Sequence, residues 1–551
     1  MAAPAQHDRK IRLDLVRAAP DQQLTLRRVL HFLAVVLPHM FIILPVRVIF
    51  AHTVLRWRSR SVRVLGRPAL ADFVVKLAQF ILSRLHVAQS RIIFNRDRSY
   101  NLVHGGPYFK GARDWVTKVE VNGTAGRWIA LPGTRRAEDQ VVMYFIHGGG
   151  FVLDTGSNAQ DILLHAMKAL NLKQSVQASV FCLDYRLAPE YKYPSQLIET
   201  LAGYHYLVNT LGISEDKIVI AGDSAGGNLA TAFLLHLARP AKEIYVPEEL
   251  GPTPGRPGGA LIISPFVNLA SRSASSFANT PHDFIELGGG FRAACDYLGV
   301  TPPPSFRFPQ PSLNPLYHFE FPRAHPPVDG EKLHTLHGWA HCEGIELFRS
   351  PYVNPVVQRD ATWWKEAMPG GGKTVVTWGG KEIFADDDSE FFQRLEKAGV
   401  APTKVFKKYG AHDWILHDWS VPTVWRTKAT GPESKFTFGL DAIVRLLSQV
   451  AADAAAAPPR ATRRLTDKKQ AKIEKKPSKE GSSAVEKAAG GEEHESYAQV
   501  AGHEEDAQAP VVAKGEGDVL HVAKGEGDVL HVGSSIEGSG VLVDKPAKGS
   551  V

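Results

Sequence analysis

Apolar and polar positions change rhythm several times along the chain. From Val29 to Val46 the run VLHFLAVVLPHMFIILPV is apolar except for His31 and His39. Its 18 residues would make a helix of about 27 Å, slightly short of a hydrocarbon core of about 30 Å. Continuing past Arg47 through VIFAHTVL to Leu55 closes the gap. Residues 29–55 therefore read as a membrane anchor, spanning or lying in the plane, or else as a helix packed on the body. No small-x-small site ends the run, which argues against a cleaved signal peptide. From Leu70 to Leu85, Asp72, Lys76, Gln79 and Ser83 form one stripe, with Phe73, Leu77, Phe80 and Ile81 opposite. That period predicts an amphipathic helix.

Strand rhythm begins at Lys118, where VEV-NGT-AGRWIA predicts a hairpin turning at Asn122-Gly123. Asn122-Gly123-Thr124 is also an N-glycosylation pattern, which requires luminal exposure. From Val141, short β-branched runs alternate with helical stretches: VVMYFI (141–146), SVFCLDY (179–185), KIVIAG (217–222), ALIIS (260–264), TVVTW (374–378) and TKVFKKY (403–409). This alternation predicts a mostly parallel sheet covered on both faces. Residues 266–350 break it with Pro-rich, aromatic, weakly periodic sequence, as a lid or substrate-binding insertion does. After Val450 the composition narrows to Ala, Lys, Glu and Gly, and Val512 to His521 recurs at once as Val522 to His531. Such sequence cannot bury enough apolar surface to fold, so residues 451–551 are expected to be a disordered tail.

Charge sharpens this division. Residues 1–67 carry a net +9, residues 451–551 carry −3, and the stretch between them only +1. A nearly neutral body offers nucleic acid no electrostatic footprint. The basic head belongs with the apolar run, as the interfacial flank of an anchor does. Three scattered cysteines, Cys182, Cys295 and Cys342, suggest neither a disulfide framework nor a metal site. The expected organisation is an N-terminal anchor segment (1–67), a catalytic body (68–450) and the tail.

The chemistry centres on KIVIAGDSAGGNLA, Lys217 to Ala230. Strand, then Gly222-Asp223-Ser224-Ala225-Gly226, then helix is the context of a nucleophile elbow, which lifts Ser224 to an exposed tip. An acyl-transfer serine needs a base, an orienting acid and oxyanion donors. His147-Gly148-Gly149-Gly150 follows the strand VVMYFI, and its glycine amides can face an oxyanion unobstructed. Gly148 and Gly149, with Ala225, are the expected donors. His412 in YGAHDW follows the last strand, with His417 as its nearest competitor. The acid lies after TVVTW. Glu382 sits first in that loop, and Asp386 is the alternative. Asp386 to Asp388 read as the acidic first turn of a helix.

HGGG, DYRLAPEYKYP (184–194), GDSAGGNLA, GGKEIFADD and YGAHDW together resemble the hormone-sensitive lipase-like family of α/β-hydrolases, over roughly residues 100–450. SPFVNLA (264–270) and SPYVNP (350–355) resemble the segments that flank the family's cap. The resemblance implies the α/β-hydrolase fold: an eight-stranded, mostly parallel sheet with helices on both faces. Its helical cap would come from about residues 68–110 and 266–350. It also implies Ser224 as nucleophile, His412 as base and the HGGG amides as oxyanion hole. One departure is that the family's usual acid is Asp, where this chain has Glu382.

The resulting expectation is a membrane-tethered serine carboxylesterase that needs no cofactor or metal. Its partners would be a small apolar ester and a membrane surface, and the resemblance suggests the endoplasmic reticulum. Apolar acyl or acetyl esters form the substrate class, with sterol or arylamide acetyl groups among them. Two alternatives stay open. A non-catalytic receptor on the same scaffold is disfavoured by the retained Ser, acid and His, whereas an acyltransferase would use the same residues.

Overall fold

The computed structural model describes residues 24–55, 68–94, 113–121, 124–304, 306, 338–420, 435 and 437–457. Eight strands form one sheet in the order β1-β2-β4-β3-β5-β6-β7-β8. They are β1 (Val116–Val121), β2 (Thr124–Ala130), β3 (Val141–Ile146), β4 (Ala178–Asp184), β5 (Ile218–Asp223), β6 (Gly259–Ile263), β7 (Thr374–Gly379) and β8 (Thr403–Lys407). The β1–β2 and β2–β4 pairs are antiparallel and all others are parallel. All six strand runs read from the sequence are present, as is the β1–β2 pair. Asn122 and Gly123, the expected turn and glycan site, lie outside the described residues, as do residues 1–23.

Alternation along each strand divides the core in two. Val142, Tyr144 and Ile146 of β3 join Ile218 and Ile220 of β5 on one face. Val141, Met143 and Phe145 join Val219 and Ala221 on the other. Both faces are buried because helices cover both, which is why these strands read as unbroken apolar runs.

The helices are, in chain order, α1 (Leu26–Thr53), α2 (Ala69–Arg84), α3 (Val87–Ile93), α4 (Gly156–Lys168), α5 (Ser195–His205), α6 (Ala225–Ala238), α7 (Ala274–Ala278), α8 (Leu287–Leu298), α9 (Ala361–Ala367), α10 (Ala385–Lys397), α11 (Trp414–Ser420) and α12 (Phe438–Ala456). Helices α5, α6 and α10 pack on the first face, whereas α4, α11 and α12 cover the second.

α1 is long and apolar enough to cross a membrane, with a mean hydropathy of 2.3 in its most apolar stretch. It widens to i→i+5 turns at Phe32–Val36 and His39–Ile43, on either side of Pro38. A proline lacks the amide for the ordinary ladder, and its ring crowds the preceding turn, so a wider turn accommodates it.

Helices α2 and α8 meet over the catalytic edge of the sheet. They approach so closely that a Cβ on Gly289 would lie 2.8 Å from the Ser83 Cα. This pairing joins the two segments expected to form the cap, although residues 95–110 and 307–337 lie outside the described ones.

One boundary differs from the sequence reading. The tail was expected to begin at Ala451, but α12 continues to Ala456 and Ala451 is buried. Alanine is the strongest helix former, so a low-complexity run can extend a helix already docked on the sheet. Residues 458–551 lie outside the described ones.

Candidate active site

The site grows from the point where strand order reverses. Chain connections run from β3 to β4 on one side and place β5 on the other. A crevice therefore opens at the carboxyl ends of β3 and β5, the usual ligand position in an α/β sheet. Register sets Ile146 beside Gly222, bringing His147-Gly148-Gly149-Gly150 next to the turn that carries Ser224.

That turn is tight. Ser224 has φ 52° and ψ −115°, a strained conformation for a side-chain-bearing residue. A Cβ at Gly226 would lie 2.0 Å from the Ile146 carbonyl oxygen, and one at Gly222 would lie 2.4 Å from that of Gly226. Only glycine fits at either position. Backbone bonds pin the elbow, with Ser224 N–H donating to the Ile263 carbonyl (2.9 Å) and Phe266 N–H donating to the Ser224 carbonyl (2.9 Å). Asn228, one turn into α6, donates to the carbonyls of Phe266 (2.8 Å) and Val353 (2.9 Å). Thus the two segments read as cap flanks are fastened to the nucleophile's helix.

His412 and Glu382 meet as expected. Glu382 is fully buried in the loop after β7, and its Oε2 lies 3.5 Å from His412 Nδ1. Asp386 turns elsewhere: its Oδ2 accepts from the Ser275 amide at 2.7 Å, while its own amide donates to Ser275 Oγ at 3.0 Å. Asp387 accepts from Asn268 and Ser271. Both serve as ties between α10 and the segment entering α7. His417 lines the same cavity as His412, and Phe284 is set edge-on to both rings.

The oxyanion donors need one correction. Gly148, expected among them, donates its amide to Asp223 Oδ1 at 3.0 Å. The Asp223 carboxyl reaches across the β3–β5 pair and holds the glycine loop in place. Gly149 lines the cavity, and Ala225 opens α6, where first-turn amides have no helical acceptor.

Three buried carboxyl groups near the triad escaped the sequence reading. Asp283, in the irregular insertion, accepts amides from Phe284 (2.8 Å), His412 (3.1 Å) and Ile383 (2.7 Å). It therefore ties the acid loop to the histidine loop. Asp388, in the first turn of α10, is fully buried and its charge acts on Glu382. Asp413 Oδ2 lies 3.2 Å from His412 Nε2, and its carboxyl also bonds to Asp223. No local pattern announces Asp283. Asp388 sits in a run that reads equally well as a helix cap, and Asp413 was overlooked beside His412.

Burial governs protonation here. It raises Glu382 and Asp388 well above the usual carboxyl range; nearby Asp388 pushes Glu382 up further, and the charges of Asp387, Asp413 and Asp283 do the same to Asp388. Burial likewise raises Asp413, and it raises Asp223 to about 7. His412 is pushed down to about 3, first by burial and then by His417, so the imidazole is neutral at neutral pH.

Ser224, His412, Gly149 and Gly150 line one cavity of about 240 Å³. The rest of its wall is largely apolar, with Val74, Ala78 and Leu82 of α2, Ile285, and the rings of Phe266, Phe284 and Phe384. Among the described residues that line it, none is Lys or Arg.

Residues 143–328 match the family described as alpha/beta hydrolase fold. An esterase of Acinetobacter venetianus is 31% identical over 165 residues, 29% of this chain and 48% of that protein. Mouse hormone-sensitive lipase is 36% identical over 112 residues, 20% of this chain and 14% of the lipase. Human arylacetamide deacetylase-like 2 is 38% identical over 104 residues, 18% of this chain and 24% of that protein. The chain thus spans about half or less of each relative's length. Sheet, elbow and matched segment agree on the α/β-hydrolase fold, and over the matched segments the chain is similar to esterases and to hormone-sensitive lipase.

Proposed function

We propose that the protein is a serine carboxylesterase for apolar acyl or acetyl esters, working through an acyl-enzyme on Ser224. The observation that carries this reading is that Ser224 and His412 line one largely apolar cavity, with Glu382 buried behind it on the imidazole's Nδ1 side. His412, neutral at rest, takes the Ser224 proton on Nε2 as Oγ bonds to the ester carbonyl carbon. Negative charge gathers on the carbonyl oxygen, where the amides of Gly149 and Ala225 donate to it. His412 then passes its proton to the leaving alcohol as the C–O bond breaks. Water, deprotonated by the same nitrogen, cleaves the acyl-enzyme and restores Ser224. Throughout, Glu382 on the Nδ1 side orients the imidazole and stabilises the imidazolium.

A wall whose described part is largely apolar favours apolar acyl groups. Acetyl esters of sterols and acetylated arylamines fall in this class, in keeping with the similarity to an arylacetamide deacetylase-like protein. Membrane attachment through residues 29–55 would bring the enzyme to such water-insoluble substrates.

The test is a panel of p-nitrophenyl esters of increasing chain length beside an acetylated sterol, with Ser224→Ala and His412→Ala as controls. Each variant is expected to lose about 10³-fold or more in turnover while keeping its thermal unfolding midpoint. Undiminished hydrolysis by pure Ser224→Ala protein would overturn the assignment.

A further inference from the structure

The polarity of α1 is inverted. From Leu30 to Phe50 every exposed side chain is apolar, including Leu30, Leu33, Phe41, Ile42, Val46 and Ile49. The polar side chains of the same stretch point inward, with His39 only 2% and Arg47 only 7% exposed. A surface helix in water has the opposite arrangement, its polar face turned out. The first exposed polar side chains appear at the two ends, Arg27 and Thr53.

The inner face is occupied along its whole length. Gln89 of α3 donates to the Arg28 carbonyl at 3.0 Å. His39 stacks on Phe80 at 4.3 Å, and His52 bonds to Asp72 at 3.1 Å. Helix α2 therefore runs antiparallel beside α1, from Phe80 near its middle to Asp72 near its end. If α1 stood upright in a bilayer, α2 and the water-adapted body attached to it would be drawn into hydrocarbon. A helix in the membrane plane avoids this, with one face in lipid and the other holding the cap.

We propose that α1 is an in-plane seat, its apolar stripe immersed in the acyl region of one phospholipid leaflet, and that the active-site cavity is loaded from that leaflet. α2 is the wall between the two. Its Leu77, Phe80 and Ile81 pack against α1, while its Val74, Val75, Ala78 and Leu82 line the cavity. Phe94 belongs to both surroundings. The charge pattern suits anionic headgroups: Arg27 and Arg28 flank one end, and Arg56, Arg58 and Arg60 follow the other in sequence. The substrate is then an ester dissolved in the membrane, which deepens the esterase reading and rests on it.

Two experiments on the full chain test this. In a Cys342→Ser background, Thr25→Cys and Thr53→Cys are placed one at a time and challenged in sealed microsomes with a membrane-impermeant maleimide. Both positions are expected to react, or be protected, together and on the same side as the catalytic body. One reacting while the other needs detergent would mean a spanning helix and overturn the seat. This readout does not depend on catalysis.

The second experiment compares wild type with Phe41→Glu/Val46→Glu, using vesicles of phosphatidylcholine and phosphatidylserine that contain a long-chain ester. The variant is expected to lose vesicle binding and about tenfold or more of its hydrolysis of the embedded ester. Turnover of soluble p-nitrophenyl acetate should stay within about twofold. Equal loss on both esters would assign the stripe to folding, and a detergent-free dimer indifferent to vesicles would assign it to a second copy. Either result overturns the proposal. If wild type cleaves neither ester, the esterase reading fails, while the labelling and vesicle-binding results still decide the seat.

Discussion

Replacing Asp283 by asparagine should disable the site without touching any member of the triad. Both Asp283 oxygens work as acceptors: Oδ1 takes the amides of Phe284 and His412, and Oδ2 takes that of Ile383. An asparagine has one acceptor oxygen. Oriented one way, it keeps Phe284 and His412 but turns its NH₂ against the Ile383 amide. Flipped, it keeps only Ile383. At least one fully buried N–H then faces another donor, at a cost of about 1–3 kcal/mol for each group left unsatisfied. With two donors opposed, the variant should be about 2–6 kcal/mol less stable, and Asp283→Ala, with three stranded amides, about 3–9 kcal/mol. In a body this large that lowers the unfolding midpoint by about 2 °C per kcal/mol.

Activity should suffer more than folding. Ile383 adjoins Glu382, and the His412 amide belongs to the base itself, so the lost tie loosens acid against base. A displacement near 1 Å costs about 10²-fold in rate, falling mainly on kcat. The pH profile separates this from general destabilisation. Asp283's charge is one of the influences that raise Glu382, so a neutral asparagine in its place lets Glu382 ionise at lower pH. The acid limb of kcat/KM should move down accordingly. Calorimetry and initial rates on one activated ester, at temperatures well below unfolding, measure both effects. An unchanged midpoint with unchanged kcat and pH profile would refute the cross-tie.

Other outcomes follow from the same geometry. Glu382→Gln should cost about 10³–10⁴-fold in turnover, because an amide cannot stabilise the imidazolium. Asp386→Asn should cost about tenfold or less, because Asp386 bonds to Ser275 instead; the reverse ranking would move the acid to Asp386. Asp387 is raised to about 6, chiefly by burial, from an unfolded value of 3.8. Its stabilising proton is in place below the unfolded value and is lost as pH rises through about 6, weakening the fold by up to about 3 kcal/mol. Asp387→Asn stays neutral throughout, so its midpoint relative to wild type should be higher at about pH 7.5 than at about pH 4. Equal differences at both values would exclude this linkage. A chain ended after Ala457 should keep its turnover on a soluble ester, since no triad residue lies beyond it and the composition there cannot supply a core. A large loss would show otherwise.

The sheet and the tight turn at Ser224 were legible because their signals are local. β-branched alternation marks strands wherever both faces are covered, and the glycines around Ser224 are required by contacts of the turn and its neighbouring strand. What escaped the sequence was long-range pairing. Gly148 looks free in HGGG until the β3–β5 register sets Asp223 across from it. Asp283 reaches Ile383 and His412 across 100 and 129 residues of chain, and no window of sequence contains both ends.

Helix α2 shows a subtler limit. Its polar stripe, Asp72, Lys76, Gln79 and Ser83, reads as a solvated face, yet it meets other parts of the fold. Lys76 donates to the Pro281 carbonyl (2.9 Å), Gln79 donates to Thr280 (2.7 Å), and Ser83 accepts the Glu286 amide (3.0 Å). Periodicity identifies which face of a helix is polar, whereas the medium on that face depends on the other elements. The pair α1 and α2 makes the point in both directions. On α2 the polar stripe is buried against the cap, and on α1 the apolar stripe faces outward. An apolar face left outermost on a helix whose polar groups are sheltered is stable only where the surroundings are themselves apolar. In the proposed seat, that requirement would make the leaflet part of the substrate's path to Ser224.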